Sequence, residues 1–329
     1  MASITDVAKR AGVGISTVSK VINNYSNISE ATRKRVLDAV EELNYVPNSV
    51  ASALSSKSSR RVALVVFINN QRQAIDEINM QYLFGAVNRA KEMKLEVLTV
   101  FSTELDGMSA SQISRHFASL RIQAIILYGL SKENEEFHEL IENDAYPFVV
   151  VDAPLEGARI SYVTVDHTKA QYDMMIHMID EHNPKSVLYL AGRRNGYVTD
   201  LRLQGAVDAC LERNVHLNAQ YANFSETEAI AMTHKHAHDS NVIVCASDLM
   251  AIGAVSALKH MDIFRPVCGY DGITLLGYID YRIETVKQDF YDISVNAINA
   301  VMGLLEGNPG EGIIVPHRII KISYEDVIM

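Results

Sequence analysis

The sequence contains no uninterrupted apolar run of the ~18 residues that a membrane-spanning helix needs. Its opening residues already include Asp6, Lys9 and Arg10, which leaves no apolar core for a secretory signal. Its three cysteines, Cys210, Cys245 and Cys268, are scattered and odd in number. That usage fits reduced thiols in a cytoplasm better than a disulfide framework. Catalytic signatures are missing too: there is no Gly-x-Ser-x-Gly, no His-Glu-x-x-His and no phosphate loop. Gly12-x-Gly14 is not a dinucleotide loop, because no strand precedes it. The Asp and Glu residues show no spacing that nominates a catalytic pair, so no enzyme and no cofactor are expected. His234 and His238 stand one helical turn apart, with His236 between them. No Cys or acidic ligand set surrounds them, and they read as a solvated helix end rather than a metal site.

What is present is material for packed cores. The chain has 329 residues, of which 48% are apolar and 21% charged, room for two ordinary domains and a small extra module. The net charge of −10 hides an asymmetry. Residues 1–61 carry nine Lys/Arg against five Asp/Glu, and the remainder carries 21 against 35. A basic head on an acidic body is the pattern of a separate nucleic-acid- or membrane-binding module.

Three textures follow one another. Residues 1–46 are short helical patterns broken by tight turns. Residues 47–60 open on Pro47-Asn48 and close on a Ser-rich stretch, Ser55 to Arg60, which has the composition of a linker. From residue 61 onward, β-branched apolar runs recur: Val62–Phe67, Val97–Phe101, Ala124–Tyr128, Phe148–Val151, Val163–Val165, Val187–Leu190, Val242–Cys245 and Val267–Gly269. Such runs read as strands buried on both faces. Helix-length segments lie between them, including Tyr82–Met93, Tyr172–Ile179, Leu203–Leu211 and Met250–Met261. Ser225-Glu226-Thr227-Glu228 has the form of a capping box. About ten strands alternating with helices predict parallel sheets in two lobes rather than one.

In the head, Asp6 to Ala11 reads as a short helix capped by Thr5, followed by a Gly12-Val13-Gly14 turn and a second helix from Ile15 to Asn23. Val7, Ala8, Val13, Val18 and Val21 can share a small core, leaving Ser16, Thr17, Ser19, Lys20 and Asn23 outward. This is a helix-turn-helix pattern, whose second helix enters the major groove. A third helix is expected with Ser29 as N-cap and Val36, Leu37, Val40 and Leu43 facing inward.

Four stretches, Ile4 to Val13, Thr17 to Asn23, Ser29 to Arg33 and Leu43 to Asn48, resemble the LacI/GalR family of bacterial transcription regulators. The likeness is nearly continuous over the first 54 residues and extends more weakly over the rest. It implies that Ile15, Ser16 and Lys20 read bases. The chemistry agrees, since Lys can donate to guanine, Ser can bond either edge and Ile can pack on a thymine methyl. It also implies that Thr5, Thr17, Asn23, Ser29 and Thr32 hold phosphates, which fix register without reading sequence. One departure is Gly14, where the family usually has a Ser to cap the recognition helix.

The segment Asn48 to Leu54 is too short to be a stable helix alone. The resemblance implies that two copies fold together in the minor groove, with Leu54 wedged between bases and Val50 and Ala51 packed against the partner copy. For the body it implies two Rossmann-like lobes of periplasmic-binding-protein type, with ligand in the cleft at strand carboxyl ends. The chain would cross between lobes near residues 162–166, 288–291 and 315–318. Leu201-Arg202-Leu203-Gln204-Gly205 resembles the family's Arg-x-x-Gly element, Ala246 to Gly253 its strand-to-helix element, and Gly269-Tyr270-Asp271-Gly272 its Gly-Tyr-Asp signature. Expected ligand contacts are Arg202, Asp271, Ser247, Phe224 and Asp152, with Asn79 and Met80 as weaker candidates. Asp248 is expected to cap a helix. The segment Asn69 to Ala74 lacks the family's common Asp-x-Ser-Asn-Pro-Phe pattern.

The expected fold is therefore a small all-α helix-turn-helix head over residues 1–46, a hinge over 47–60 and an α/β body over 61–329. Its first lobe spans about 61–163 and 290–316, its second about 164–289 and 317–329. The expected function is that of a cytoplasmic, homodimeric repressor that binds a pseudo-palindromic DNA operator and releases it when a small effector, a sugar or sugar derivative, closes the lobes. The absence of terminal apolar heptads favours a dimer over a tetramer. Two alternatives stand beside it: a nucleobase-responsive repressor that needs a corepressor, and a sugar-binding protein without DNA function.

Overall fold

The structure, a computed structural model, describes residues 2–22, 28–43, 45, 60–67 and 77–328. The chain divides into two compact units, Met1–Ser59 and Arg60–Met329.

The first unit holds α1 (Ile4–Ala11), α2 (Ile15–Ile22) and α3 (Glu30–Glu42). Ser3, not Thr5, caps α1. The Ser3 hydroxyl accepts from the Asp6 amide at 3.3 Å, and the Asp6 carboxylate accepts from the Ser3 amide at 2.8 Å, a reciprocal capping box. Hydrogen bonds donated by the Ser3 amide and hydroxyl hold the Asp6 carboxyl below its usual range. Thr5 falls inside the helix and is exposed. Gly12 closes α1 at φ 64°. The Gly14 carbonyl then opens α2, accepting from Thr17 and Val18 amides at 2.9 and 3.1 Å, so α2 starts without a side-chain cap. Ser29 caps α3 as expected. Val7, Ala8, Ala11, Val18, Val21, Val36 and Ala39 form the buried core, with Val13, Val40 and Leu43 packed against it. Leu37 is a correction, because it stands exposed. Residues 36 and 37 lie about 100° apart on a helix, and Ala39 takes the inward place beside Val36.

The second unit is built on two six-stranded sheets. The first contains β1 (Arg61–Val66), β2 (Glu96–Phe101), β3 (Ala124–Tyr128), β4 (Phe148–Val151), β5 (Ile160–Val165) and β11 (Gly312–Val315). Its order is β11-β5-β4-β3-β1-β2, all parallel. The second contains β6 (Ser186–Ala191), β7 (His216–Tyr221), β8 (Val242–Cys245), β9 (Val267–Asp271), β10 (Glu284–Lys287) and β12 (Arg318–Lys321). Its order is β12-β10-β9-β8-β6-β7, parallel except for β12. Both sheets thus repeat one doubly wound order, with a switch point beside the first strand of each. The strands read from the sequence are all present; β7, β10, β11 and β12 add to them.

The helices that position the cleft are α4 (Glu77–Glu92), α5 (His167–His182), α6 (Tyr197–Arg213), α7 (Asp248–Met261) and α8 (Phe290–Leu305). The chain passes from the first sheet to the second after β5, at Asp166, and returns after β10, at Gln288 and Asp289. It passes over again after β11, at Pro316 and His317. We call each sheet with its covering helices a lobe. Helices α5 and α6 pack so closely that a Cβ on Gly205 would lie 2.1 Å from the Thr168 carbonyl oxygen, so the glycine of the Arg-x-x-Gly element serves helix contact. The Ser225 motif forms half of its box. Ser225 accepts from the Glu228 amide at 3.3 Å, but the Glu228 carboxylate accepts from the Asn223 side chain instead.

Candidate functional site

On the head, Ile15, Ser16 and Lys20 are exposed on α2, and Thr17 is half-buried beside them. Thr5 and Ser29 are exposed, and Thr32 is half-buried with its hydroxyl accepting from that of Ser29 at 2.9 Å. Of the face that the helix-turn-helix reading turns outward, Ser16 and Lys20 are exposed and Thr17 and Ser19 are half-buried. Asn23, Val50, Ala51 and Leu54 lie outside the described residues, as does the segment 69–74.

In the second unit a cavity of about 220 Å³ opens between the lobes. Asn79, Asp152, Arg202, Phe224, Ser247 and Asp271 all line it. Met80 does not; it is exposed on α4. Four of these residues end strands or begin the turns after them, which is why the doubly wound topology brings them together.

Arg202, on α6, is the buried cation of the site, 4% exposed. Its Nη1 donates to the Ala246 carbonyl at 2.6 Å and reaches Asp271 Oδ1 at 3.5 Å. Its Nε reaches His167 Nδ1 at 3.4 Å. The guanidinium carbon stacks 3.7 Å from the Tyr270 ring centre and 6.0 Å from that of Phe224, a cation–π arrangement. Asp152, just beyond β4 at φ 63°, accepts from the Tyr82 hydroxyl at 3.0 Å, the Thr164 hydroxyl at 3.2 Å and His167 Nε2 at 3.1 Å. Burial works to raise its carboxyl, but the His167 contact, the Arg202 charge and the Tyr82 hydrogen bond outweigh it and hold the pKa below the usual value. Asp271, at φ 118°, accepts from Gln288 Nε2 at 3.0 Å. Burial pushes its carboxyl up to about 7, against the lowering effect of Arg202 and Gln288. Phe224 also sits at positive φ, 55°. For a bulky residue that backbone region carries strain, of a kind that gathers at ligand sites.

Ser247, not Asp248, caps α7, accepting from the Met250 amide at 3.3 Å. Asp248 is fully buried and ties down the turn after β9. It accepts from the amides of Gly272 and Ile273 at 2.7 and 2.8 Å and from the Thr285 hydroxyl at 2.7 Å. It thereby supports Asp271 from behind.

Sequence reasoning missed Gln288, Tyr82 and His167. Gln288 and Tyr82 line the cavity, and His167 lies one contact behind it. His167 and Gln288 flank the crossovers, and no local pattern announces them: Asp166-His167-Thr168 looks like an ordinary helix start. The lobes also touch at the exposed rim. Lys132 pairs with Asp200 at 2.6 Å, Glu133 with Arg193 at 2.7 Å, and Glu77 accepts from Thr274. Such exposed pairs contribute about 0–1 kcal/mol each.

Away from the cavity, His177, Glu181 and Glu284 gather three ligand-type atoms among the described residues. Glu284 also pairs with Lys321 at 2.8 Å, so the cluster is satisfied as an ion-pair network. His234, His236 and His238 form no such group among the described residues. No described helix is long and apolar enough to cross a membrane.

Known proteins share both parts of this arrangement. Residues 3–48 match the family described as bacterial regulatory proteins, lacI family, and residues 80–271 match periplasmic binding proteins and sugar binding domain of LacI family. The transcriptional regulator AscG of Escherichia coli (strain K12) is 27% identical over 321 residues, 93% of each chain. A Lac repressor dimer bound to operator and an anti-inducer superposes with a TM-score of 0.81 at 21% identity, over 97% of this chain and 98% of that one. A complex of the regulator CelR with cellobiose superposes at 0.71 and 23% identity, over 98% and 100%. With a helix-turn-helix head, a twice-repeated doubly wound body and family matches that together span more than half its length, the chain belongs to the LacI family of DNA-binding transcriptional regulators.

Proposed function

We propose that the protein is a homodimeric repressor whose body senses a sugar or sugar derivative and whose heads grip a pseudo-palindromic duplex in the cytoplasm. The observation that carries the sensor reading is the composition of the interlobe cavity. Two carboxylates, a guanidinium, a serine hydroxyl and an asparagine converge on one small space beside the Phe224 ring. Polyols need that set: acceptors for hydroxyls, planar donors and an apolar platform. Relatives support it, since the solved Lac repressor is a dimer on operator and CelR holds cellobiose.

A second copy has a surface to meet. Met80, Phe84 and Val87 form an exposed apolar stripe on α4, with Tyr291 of α8 beside it. Such a stripe at helical spacing marks an association face. In the head, Ile15, Ser16 and Lys20 contact base edges, while Thr5, Thr17, Asn23, Ser29 and Thr32 hold phosphates. The paired hinge segments enter the minor groove, with Leu54 wedged between bases and Val50 and Ala51 packed against the partner copy. Lobe closure on the sugar shifts the first lobes of the pair and separates the hinges, a two-state coupling between sites.

The test is a gel shift on inverted-repeat duplexes, with and without members of a sugar panel chosen by thermal shift. Specific binding that weakens steeply with salt and is released by one sugar supports the reading; tightening by that sugar would make it a corepressor. Arg202→Ala should keep operator binding and lose the sugar response at least tenfold. A variant that still responds removes Arg202 from the pocket.

A further inference from the structure

We propose that His167 is the positioning residue that joins the two lobes beneath the effector cavity, acting as a neutral imidazole with its proton on Nε2. The proposal deepens the effector reading and names how the same site is regulated.

The geometry fixes the tautomer. Asp152 is ionised and its oxygens can only accept, so His167 Nε2, 3.1 Å away, donates. An Arg Nε can only donate, so His167 Nδ1, 3.4 Å from Arg202 Nε, carries the lone pair. The Tyr270 hydroxyl, 2.8 Å from Nδ1, donates to it as well. An imidazolium in this place would turn an N–H against two other donors. The charged and titratable groups facing the ring are Asp152 from the first lobe, Arg202 and Tyr270 from the second, and Asp166 at the head of its own helix. Burial and the Arg202 charge, which outweigh Asp152, keep the ring's pKa below its ordinary value.

Its place in the chain gives the contact its meaning. His167 is the first residue of α5, directly after the chain leaves the first sheet. Its side chain is wholly buried, whereas the interlobe ion pairs Lys132–Asp200 and Glu133–Arg193 stand at the exposed rim, near the backbone bridge of Ser131 with Gly196 and the ring contact of His138 with Tyr197. The ring does not line the cavity, but Asp152 and Arg202 do. A ligand that draws on either group therefore draws on the pivot through one side chain, and the two lobes report to each other there.

The experiment compares full-length wild type with His167→Gln, which keeps a donor and an acceptor at similar reach, and His167→Leu, which keeps neither. The first readout needs no ligand. Nitrogen chemical shifts of the imidazole should show one Nε2-protonated form that persists to lower pH than the protein's exposed histidines. An Nδ1-protonated form, or titration near the ordinary value, overturns the proposal. The second readout is hydrogen exchange across residues 163–166 and 286–289. His167→Leu should exchange about tenfold faster there and His167→Gln within a factor of about two of wild type. Equal behaviour of the two variants overturns the proposal. Cellobiose and glucose are the ligand probes. For whichever raises the wild-type Tm, His167→Leu should weaken Kd about 10- to 100-fold, with His167→Gln close to wild type. If neither sugar binds wild type, the sugar reading rests on the wider panel, while the shifts and the exchange still decide the role of His167.

Discussion

Asp271 shows how a single buried carboxyl is set by competing surroundings. Arg202 at 3.5 Å and the Gln288 amide at 3.0 Å favour its charge, yet burial prevails and lifts the pKa from 3.8 to about 7. The unfolded chain releases this proton first. Between about pH 4 and 7 the folded protein therefore holds more protons, and this group's contribution to stability falls as pH rises. Asn at 271 has no proton to release. The Tm difference between Asp271→Asn and wild type should move in the variant's favour from about pH 5 to about pH 8, as read by differential scanning fluorimetry. A gap independent of pH would mean that Asp271 ionises at an ordinary value. At this scale the sequence was legible where a motif fixed a residue, on helix α6 for Arg202 and at or just beyond a strand end for Asp271 and Ser247. It was not legible for His167 and Gln288, whose roles exist only because the chain crosses between sheets beside them. The capping duty expected of Asp248 falls to Ser247, which keeps its place in the cavity, because the cap needs the residue before the first helical turn.

Elements show the same division. Strands buried on both faces announce themselves by apolar composition, and β1, β3, β4 and β8 lie where the sequence puts them. Strand β7, His216-Leu-Asn-Ala-Gln-Tyr221, and the short strands β11 and β12 form sheet edges, and β10 (Glu-Thr-Val-Lys) and β12 (Arg-Ile-Ile-Lys) carry charges at both ends, so β7, β10 and β12 lack the continuous apolar run of a strand buried on both faces. Caps are a finer matter, since Thr5 and Ser3 both suit the start of α1 by type. The reciprocal bonds between Ser3 and Asp6 decide in favour of Ser3. Ser3→Ala should therefore destabilise α1 by about 1 kcal/mol, whereas Thr5→Ala, at an exposed position inside the helix, should leave it unchanged or slightly firmer. Hydrogen exchange at the amides of Asp6 and Val7 measures this directly. Equal protection in the two variants would return the capping role to Thr5.

For the whole molecule, the uneven charge and the change of texture near residue 60 were the clearest signals in the chain, because each arises from dozens of residues. Association is harder to read. Met80, Phe84 and Val87 are ordinary apolar residues of an amphipathic helix until the fold shows that they face away from the core. Phe84→Asp should convert the dimer into a monomer in sedimentation at micromolar concentration, lower affinity for a two-half-site duplex at least tenfold, and leave the Tm of the body within a few degrees of wild type. A variant that remains dimeric would place the association face elsewhere.

The crossovers of the body are also where its sensing chemistry is anchored. His167 follows one of them, and Gln288, hydrogen-bonded to Asp271, occupies another. Substitutions introduced there to retune inducer preference should change the uninduced level of a reporter gene as well as its response. Altered recognition and altered leakiness should therefore arise together, and a second change elsewhere should be needed to separate them.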